Sequence, residues 1–257
     1  MAAASFDLRG RTAVVVGATS GIGRALALGL ADAGADVVAT GRRRSHVDEV
    51  AAEIERRGRR TLRQTADVAD KASLDSLRDA CLAGFGQVDI VVAAAGVTKR
   101  VPTLEMTDSD WRAILDTNLS GMLRTYQSFG APMIARRAGR LIGIASLGSF
   151  LGLFEVAAYT ASKAGVAGLT RALAVEWARH NVTVNAIVPG VLETDLNKAL
   201  LAGPRGREFL MRTPMGRFGR VDEIVGAVVY LASEAAGFVT GQLLAVDGGI
   251  LASGVNQ

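Results

Sequence analysis

Cysteine, histidine and aromatic residues are scarce in this chain of 257 residues, and their scarcity limits its possible chemistry. Cys81 is the single cysteine, which excludes an internal disulfide. His46 and His180 fall on predicted helix surfaces or ends, so we assign neither to a site and expect no metal centre. No apolar run has transmembrane length, and residues 1–7 lack the basic and apolar regions of a signal peptide. We therefore expect a cytoplasmic protein with no membrane association.

Acidic residues are outnumbered by basic ones, and the formal net charge is +4. Basic residues cluster at 42–44 and at 56–60. Aromatic residues do not alternate with either cluster, so the stacking platform of single-strand nucleic-acid binders is absent. The second cluster is typical of a solvated helix end. Nucleic-acid binding is an alternative that rests on charge alone, and we expect no nucleic-acid partner.

Short apolar runs alternate with helical patterns along the whole chain. Strands are predicted over residues 12–16, 36–40, 61–65, 89–93, 140–145, 183–187 and 243–246. Helices are predicted over residues 21–33, 45–57, 71–85, 109–137, 159–180, 193–211 and 221–231, with Ser45 and Asp70 as N-caps. This alternation indicates a parallel sheet covered by helices on both faces. With no linker or repeat, the sequence predicts a single α/β domain over residues 1–257, doubly wound, with ligands beyond the carboxyl ends of its strands.

A glycine-rich turn joins the first predicted strand to the first helix. Gly17, Gly21 and Gly23 differ in spacing from the strict G-x-G-x-x-G dinucleotide fingerprint. The physics is shared, because glycines let backbone N–H groups approach a pyrophosphate and the helix N-terminus supplies positive potential. A tight glycine turn without a ligand is the alternative. The position of the turn, directly after a buried strand, favours a dinucleotide site.

Arginine follows the end of the second predicted strand. An acidic residue there, about 20 residues beyond the glycine turn, would bind the ribose 2′-hydroxyl of NAD. Gly41 occupies that place, and Arg42 and Arg43 follow it. A guanidinium group suits a 2′-phosphate. The sequence thus favours NADP, with NAD possible, while a solvated basic helix start is the alternative.

A tyrosine and a lysine four residues apart are the best candidates for catalysis. Tyr159 and Lys163 share one face of a predicted helix. An ammonium group about 4 Å from the phenol would lower the tyrosine pKa by about 3 units, toward the range of general acid–base catalysis. Ser146, thirteen residues before the tyrosine, could hydrogen-bond a substrate oxygen as charge develops on it. An amphipathic helix with a snorkelling lysine is the alternative.

These motifs resemble the short-chain dehydrogenase/reductase family, as do Asn118, Pro189-Gly190 and the ending Val246-Asp247-Gly248-Gly249. The resemblance implies one domain with a seven-stranded parallel sheet, usually assembled as a homotetramer. The cofactor contacts that it and the glycine turn imply are Gly17, Thr19, Ser20, Gly21, Ile22, Gly23, Arg42, Arg43, Asp67, Val68, Ala94, Gly96, Tyr159, Lys163, Pro189, Gly190, Leu192 and Thr194.

The same resemblance implies four catalytic residues. Tyr159 would be the general acid–base, and Lys163 would lower its pKa and bind the nicotinamide ribose. Ser146 would orient the carbonyl or hydroxyl of the substrate. Asn118 would hold a water molecule in a proton relay.

The chain departs from the family pattern near the fourth predicted strand and near Ser146. Ala93 and Ala94 stand where the family usually has two asparagines, so the hydrogen bonds of those amides need other partners. Gly143 and Ala145 replace an Asn and a Ser that often precede the catalytic serine. No catalytic group is lost.

Residues 159–169 and 212–219 resemble the branch of the family that acts on sugar acids, such as gluconate 5-dehydrogenases and deoxygluconate dehydrogenases. That branch often places an arginine against a substrate carboxylate, and we hypothesise this role for Arg100. A solvent-facing basic loop is the alternative. Glu155 also falls near the expected pocket and would disfavour a nearby anion.

The sequence therefore predicts an oxidoreductase that transfers a hydride between a nicotinamide cofactor and a secondary alcohol or ketone. We expect a small-molecule substrate, a sugar acid or polyol, bound by Arg100, Ser146 and Tyr159. A 3-oxoacyl-thioester (acyl-carrier-protein) reductase is the first alternative. A catalytically silent nucleotide-binding regulator is another, against which the four intact catalytic residues count.

Overall fold

Six parallel strands form the central sheet of the computed structural model, which describes residues 5–194 and 197–254. They are β1 Thr12–Val16, β2 Asp36–Thr40, β3 Ile90–Ala93, β4 Gly139–Ile144, β5 Val182–Pro189 and β8 Leu243–Val246. Two short strands, β6 Leu192–Glu193 and β7 Gly219–Arg220, pair with each other outside this sheet. The order β2-β1-β3-β4-β5-β8 reverses direction between β1 and β3, where doubly wound sheets bind ligands.

Helices cover both faces of the sheet, as the alternation of patterns predicts. They are α1 Gly21–Asp32, α2 Arg44–Arg56, α3 Lys71–Phe85, α4 Asp108–Leu115, α5 Gly121–Arg136, α6 Ala157–Trp177, α7 Lys198–Leu201, α8 Pro204–Arg212 and α9 Val225–Ala232. Successive residues of a strand point to opposite faces. Ala13 and Val15 of β1 accordingly pack with α1, α2 and α9, whereas Val14 and Val16 pack with α3, α5 and α6. The predicted α/β fold with two covered faces is confirmed.

The third predicted strand, over residues 61–65, is wrong, and the sheet therefore has six strands rather than seven. The segment does run beside β2. Val37 N donates to Arg60 O at 3.0 Å, and Ala66 N donates to Gly41 O at 3.2 Å. Between these two bonds the segment is polar and partly exposed, and no regular ladder forms. Edge pairing of this kind depends on backbone geometry, which local propensity does not report.

Of the two predicted N-cap residues, Ser45 is wrong and Asp70 is confirmed. The prediction of Ser45 as an N-cap is wrong, because α2 begins at Arg44 and its N-cap residue, Arg43, makes no side-chain cap bond. Asp70 is confirmed as the cap of α3, since its carboxylate accepts a hydrogen bond from Ala72 N at 2.9 Å. The helix predicted over residues 109–137 is continuous, but a π-helical segment, Asp116–Ser120, separates α4 from α5.

The helix predicted over residues 193–211 is divided. Pro204 begins α8 separately from α7, because proline has no backbone N–H and suits the first position of a helix. Residues 195–196 lie outside the described residues. Within the part of the chain that the structure describes, no helix is both long and apolar enough to span a bilayer, and no three metal-ligating side chains cluster together.

Candidate active site

A cavity of about 650 Å³ lies beyond the carboxyl ends of β1, β3 and β5. Its size is that of a cofactor site. Fifteen predicted cofactor residues line it: Gly17, Thr19, Ser20, Gly21, Ile22, Gly23, Arg42, Arg43, Asp67, Val68, Ala94, Gly96, Gly190, Leu192 and Thr194. The sequence reasoning missed other lining residues, among them Ala66, Val97, Thr117 and Asn197. Ala66, Val97 and Thr117 each adjoin a predicted residue in the sequence, which is the signal that could have indicated them.

The glycine turn brings backbone close to backbone at one end of this cavity. Gly17 has a φ of +87°, and a Cβ added there would lie 2.5 Å from Ala95 N. A Cβ added at Gly23 would collide with the carbonyl oxygen of Gly17. Helix α1 begins at Gly21, with neither an acidic residue in its first turn nor a side-chain cap from Ser20. Its free N–H groups and positive end fit a pyrophosphate.

Arg42 and Arg43 line the same cavity and are exposed. Among the described residues neither side chain has an ion-pair partner, whereas Arg44 pairs with Asp48 at 2.9 Å. A Cβ added at Gly41 would lie 2.8 Å from the Cγ2 atom of Thr19, so any larger residue there would require the Thr19 side chain to move. The cavity thus presents two guanidinium groups that have no ion-pair partner within the described part of the chain.

A second cavity, of about 280 Å³, adjoins the first and shares Ile22, Ala94, Gly96, Val97 and Gly190 with it. The predicted residues that line the second cavity and not the first are Ser146, Tyr159, Lys163 and Pro189. The structure therefore brings together three of the four predicted catalytic side chains next to the glycine-lined cavity.

Lys163 is buried and faces a backbone carbonyl. Its Nζ atom donates to Ile144 O at 2.6 Å and lies 5.7 Å from the ring centroid of Tyr159. Burial lowers the pKa of Lys163 to about 8. The expected fall of the tyrosine pKa is wrong for this structure, because burial raises the pKa of Tyr159 and the Ser146 hydroxyl lowers it by less.

Asn118 lies in the π-helical segment and lines neither cavity. Its Oδ1 atom accepts from Val97 N at 2.8 Å, and its Nδ2 atom donates to Val97 O at 2.9 Å and to Ser162 Oγ at 3.0 Å. Segments of this kind occur frequently at functional sites. A Cβ added at Gly96 would lie 3.5 Å from Asn118 Oδ1 and 3.7 Å from Lys163 Nζ, so the three residues meet.

Arg100 lines neither cavity, and its guanidinium is already paired. The Nε atom donates to Glu155 Oε2 at 2.6 Å, and the Arg100 side chain is half-exposed. Thr98, two residues earlier, lines the second cavity. Arg100, which is predicted to bind a substrate carboxylate, therefore lies outside the lining of the site. The carboxylate of Glu155 already occupies its guanidinium and would compete with the substrate.

One departure from the family pattern, the glycine at position 143, has a packing explanation. A Cβ added there would lie 3.0 Å from Met122 Cε and 3.2 Å from Tyr126 Oη. The two side chains thus occupy the space beside residue 143. Within the described residues, the buried hydroxyl of Tyr126 has no hydrogen-bond partner.

The nucleotide-sized cavity adjoins the smaller cavity lined by Ser146, Tyr159 and Lys163, an arrangement that fits a nicotinamide-dependent oxidoreductase of the doubly wound class. A family model described as enoyl-(acyl carrier protein) reductase, adh_short_C2, matches residues 17–251. The chain belongs to this family of short-chain dehydrogenases/reductases.

Similar proteins act on sugar acids and polyols. The 2-dehydro-3-deoxy-D-gluconate 5-dehydrogenase of Escherichia coli (strain K12) is 41% identical over 98% of this chain and 100% of its own length. The D-threitol dehydrogenase of Mycolicibacterium smegmatis is 39% identical over 95% of this chain and 94% of its own. A gluconate 5-dehydrogenase from Burkholderia cenocepacia, solved with NADP and tartrate, is 38% identical over 96% of this chain and 98% of its own, with a TM-score of 0.92.

Proposed function

We propose that this protein is an NADP-preferring oxidoreductase that interconverts a secondary alcohol and a ketone on a sugar acid or polyol. The observation that best supports this proposal is that the two cavities adjoin each other. Ser146, Tyr159 and Lys163 line the smaller cavity, next to residues that line the nucleotide site. The names of the similar proteins support this substrate class.

The cofactor would be held by the glycine turn, by Arg42 and Arg43 at the 2′-phosphate, and by Asp67 and Val68 at the adenine. When bound, it would supply or accept the hydride. The close approach at Gly17 and the free N–H groups of α1 fit its pyrophosphate. The two unpaired guanidinium groups support NADP over NAD.

Tyr159 is the proposed proton donor and acceptor. Since burial raises its pKa, the phenol is protonated at neutral pH and suited to protonate a ketone oxygen during reduction. Ser146 would hydrogen-bond the same oxygen and hold it beside the phenol. Lys163 would stabilise the phenolate once the proton leaves. Asn118 would organise the proton path, supported by its bonds to Val97 and Ser162.

The test is a screen of NADP-linked oxidation with gluconate, related sugar acids and neutral polyols, together with NADPH-linked reduction of a 3-oxoacyl thioester. We expect turnover of at least one sugar acid or polyol. Tyr159→Phe should abolish turnover and retain cofactor binding. Turnover of the thioester alone would instead support the acyl-carrier-protein reductase alternative. Turnover unaffected by Tyr159→Phe would refute the site.

We further propose a cytoplasmic homotetramer formed by the whole chain as one domain. Large apolar side chains lie exposed on the adjacent helices α4 and α6, with Trp111 40% and Val175 83% exposed. Such surfaces support association of subunits. Light scattering of the purified protein should give about four times the chain mass, and a monomeric mass would contradict this proposal.

A further inference from the structure

The ion pair of Arg100 and Glu155 joins the loop after β3 to the loop before α6. Other residues of the loop after β3 line the second cavity. Arg100 follows β3, close to the lining residue Thr98. Glu155 lies in the turn before α6, four residues before Tyr159. The side chains meet at 2.6 Å, and Val101 N donates to Glu155 O at 2.8 Å. A side-chain contact and a backbone contact therefore both fix Glu155 against the loop that contains Arg100 and Val101.

A third segment contacts this pair through Phe154. The guanidinium carbon of Arg100 lies 5.9 Å from the Phe154 ring centroid, and Arg205 Nη1 of helix α8 donates to Phe154 O at 3.2 Å. Arg205 also lies over the Phe209 ring, at 5.7 Å from its centroid. The charged groups next to the pair of Arg100 and Glu155 are thus held in place by several contacts.

The backbone of Glu155 is unusual, and its conformation supports a functional constraint. Its φ is +59°, in the left-handed region that side chains other than Gly, Asn and Asp rarely adopt. Such a conformation persists only where the surroundings determine it, and it often accompanies functional sites. The contacts with Arg100 and Val101 are the surroundings that determine it here.

The geometry points to Glu155 as the residue that sets the charge preference of the substrate site, in favour of neutral polyols over sugar acids. This inference rests on the proposed function. A substrate carboxylate at Arg100 would have to displace Glu155 or lie against a like charge. A neutral polyol meets no such repulsion, because a paired guanidinium and carboxylate offer hydrogen-bond donors and acceptors side by side to neighbouring hydroxyl groups.

The other cations at this edge are also engaged. Lys99, the neighbour of Arg100, pairs with Asp110 at 2.7 Å. Asp110 therefore provides a matched control, since Asp110→Asn removes the same charge from a neighbouring ion pair and leaves Glu155 in place. Only the loss of Glu155 should release the guanidinium of Arg100.

The test compares D-gluconate with D-glucitol, which differ only by a carboxylate in place of a terminal hydroxymethyl group. Their Kd values are measured by calorimetry with NADP present, in a Tyr159→Phe background that does not convert the ligand. We expect the Tyr159→Phe protein, in which Glu155 is intact, to bind glucitol more tightly than gluconate. Glu155→Gln should shift the ratio toward gluconate by about tenfold or more, because the freed guanidinium then pairs with the ligand. Asp110→Asn should leave the ratio within about twofold, because it frees Lys99 and leaves the pair of Arg100 and Glu155 intact.

Glu155→Asn provides a second variant, since asparagine tolerates the left-handed conformation. An unchanged ratio in both Glu155 variants, a shift equal to that of Asp110→Asn, or no gluconate binding by either Glu155 variant would overturn the inference. Because binding is measured without turnover, these outcomes stay separate from the proposed function. That function fails if the Tyr159-intact enzyme oxidises no sugar acid or polyol.

Discussion

Lys163 donates a 2.6 Å hydrogen bond from Nζ to the carbonyl oxygen of Ile144, the last residue of β4. The bond ties α6 to the carboxyl end of a central strand, two residues before Ser146. It also places the ammonium group in a buried position, where burial lowers the pKa of Lys163 to about 8 from an ordinary value of 10.5. Part of the stability of the fold should therefore depend on the protonation of this lysine.

We predict that Lys163 makes the free energy of unfolding rise as the pH increases from about 8 to about 10.5. In this window the unfolded chain keeps the lysine proton and the folded chain loses it, so higher pH favours the folded state. Relative to Lys163→Met, the wild type should gain up to about 3 kcal/mol across the window. Urea titrations of both proteins at the two ends of the window measure this difference. A constant difference would show that the lysine is not buried as described.

Asn118 should affect activity beyond its effect on stability. Asn118→Ala removes three hydrogen bonds that hold Val97 and Ser162 and should lower the free energy of unfolding by about 1–2 kcal/mol. We expect kcat to fall about 10-fold or more, because Val97 lines both cavities. Asn185 is a matched control, since it is fully buried and bonds Val239 O and Gln242 N away from the site. Equal losses of kcat in both variants would contradict a positioning role for Asn118.

Asp89 should be important for stability at the amino ends of the strands. Its buried carboxylate accepts from Thr12 N at 2.9 Å and pairs with Arg136 at 3.1 Å. Asp89→Ala should cost about 3 kcal/mol, because it removes the acceptor of the buried Thr12 N–H and the carboxylate that pairs with Arg136. The exposed pair of Asp108 and Arg112, at 3.5 Å, should contribute less than about 0.5 kcal/mol. Denaturant titration of both alanine variants measures the contrast, and equal effects would refute it.

The unpartnered hydroxyl of Tyr126 should be dispensable. Tyr126→Phe removes a buried polar atom that has no partner among the described residues and should raise the free energy of unfolding by about 1 kcal/mol. Gly143→Ala should lower stability, since the new methyl group would press on Met122 and Tyr126. Thermal and urea unfolding of the two variants measure these two changes in stability relative to the wild type. A clear loss of stability in Tyr126→Phe would mean that the hydroxyl has a hydrogen-bond partner.

The features that were predictable from sequence are those in which residue type and spacing carry the chemistry. The glycine turn could be placed because it follows a buried strand and opens a helix. Tyr159 and Lys163 could be paired because four residues make one helical turn. The failed strand at residues 61–65 shows the limit, because local apolar character does not reveal whether an edge segment forms a regular ladder.

Long-range electrostatics were harder to predict. Arg100 and Glu155 are 55 residues apart, and nothing local to either indicates that they meet. The tyrosine pKa was predicted in the wrong direction for a related reason. The helical spacing gave the correct neighbour, but burial and the carbonyl of Ile144 were not visible in the sequence. The π-helical segment at Asn118 likewise has no distinct pattern.

Cofactor binding tests the central claim most directly, because the nucleotide cavity can be tested before any substrate is known. NADPH and NADH are titrated side by side by fluorescence on the wild type, on Arg42→Ala, and on Arg44→Ala as the matched control. We predict tighter binding of NADPH, weakened about tenfold or more by Arg42→Ala through loss of a charge-assisted contact. Arg44, paired with Asp48, should have little effect. Preference for NADH, or equal effects of the two variants, would contradict the account and assign these arginines to the solvated surface.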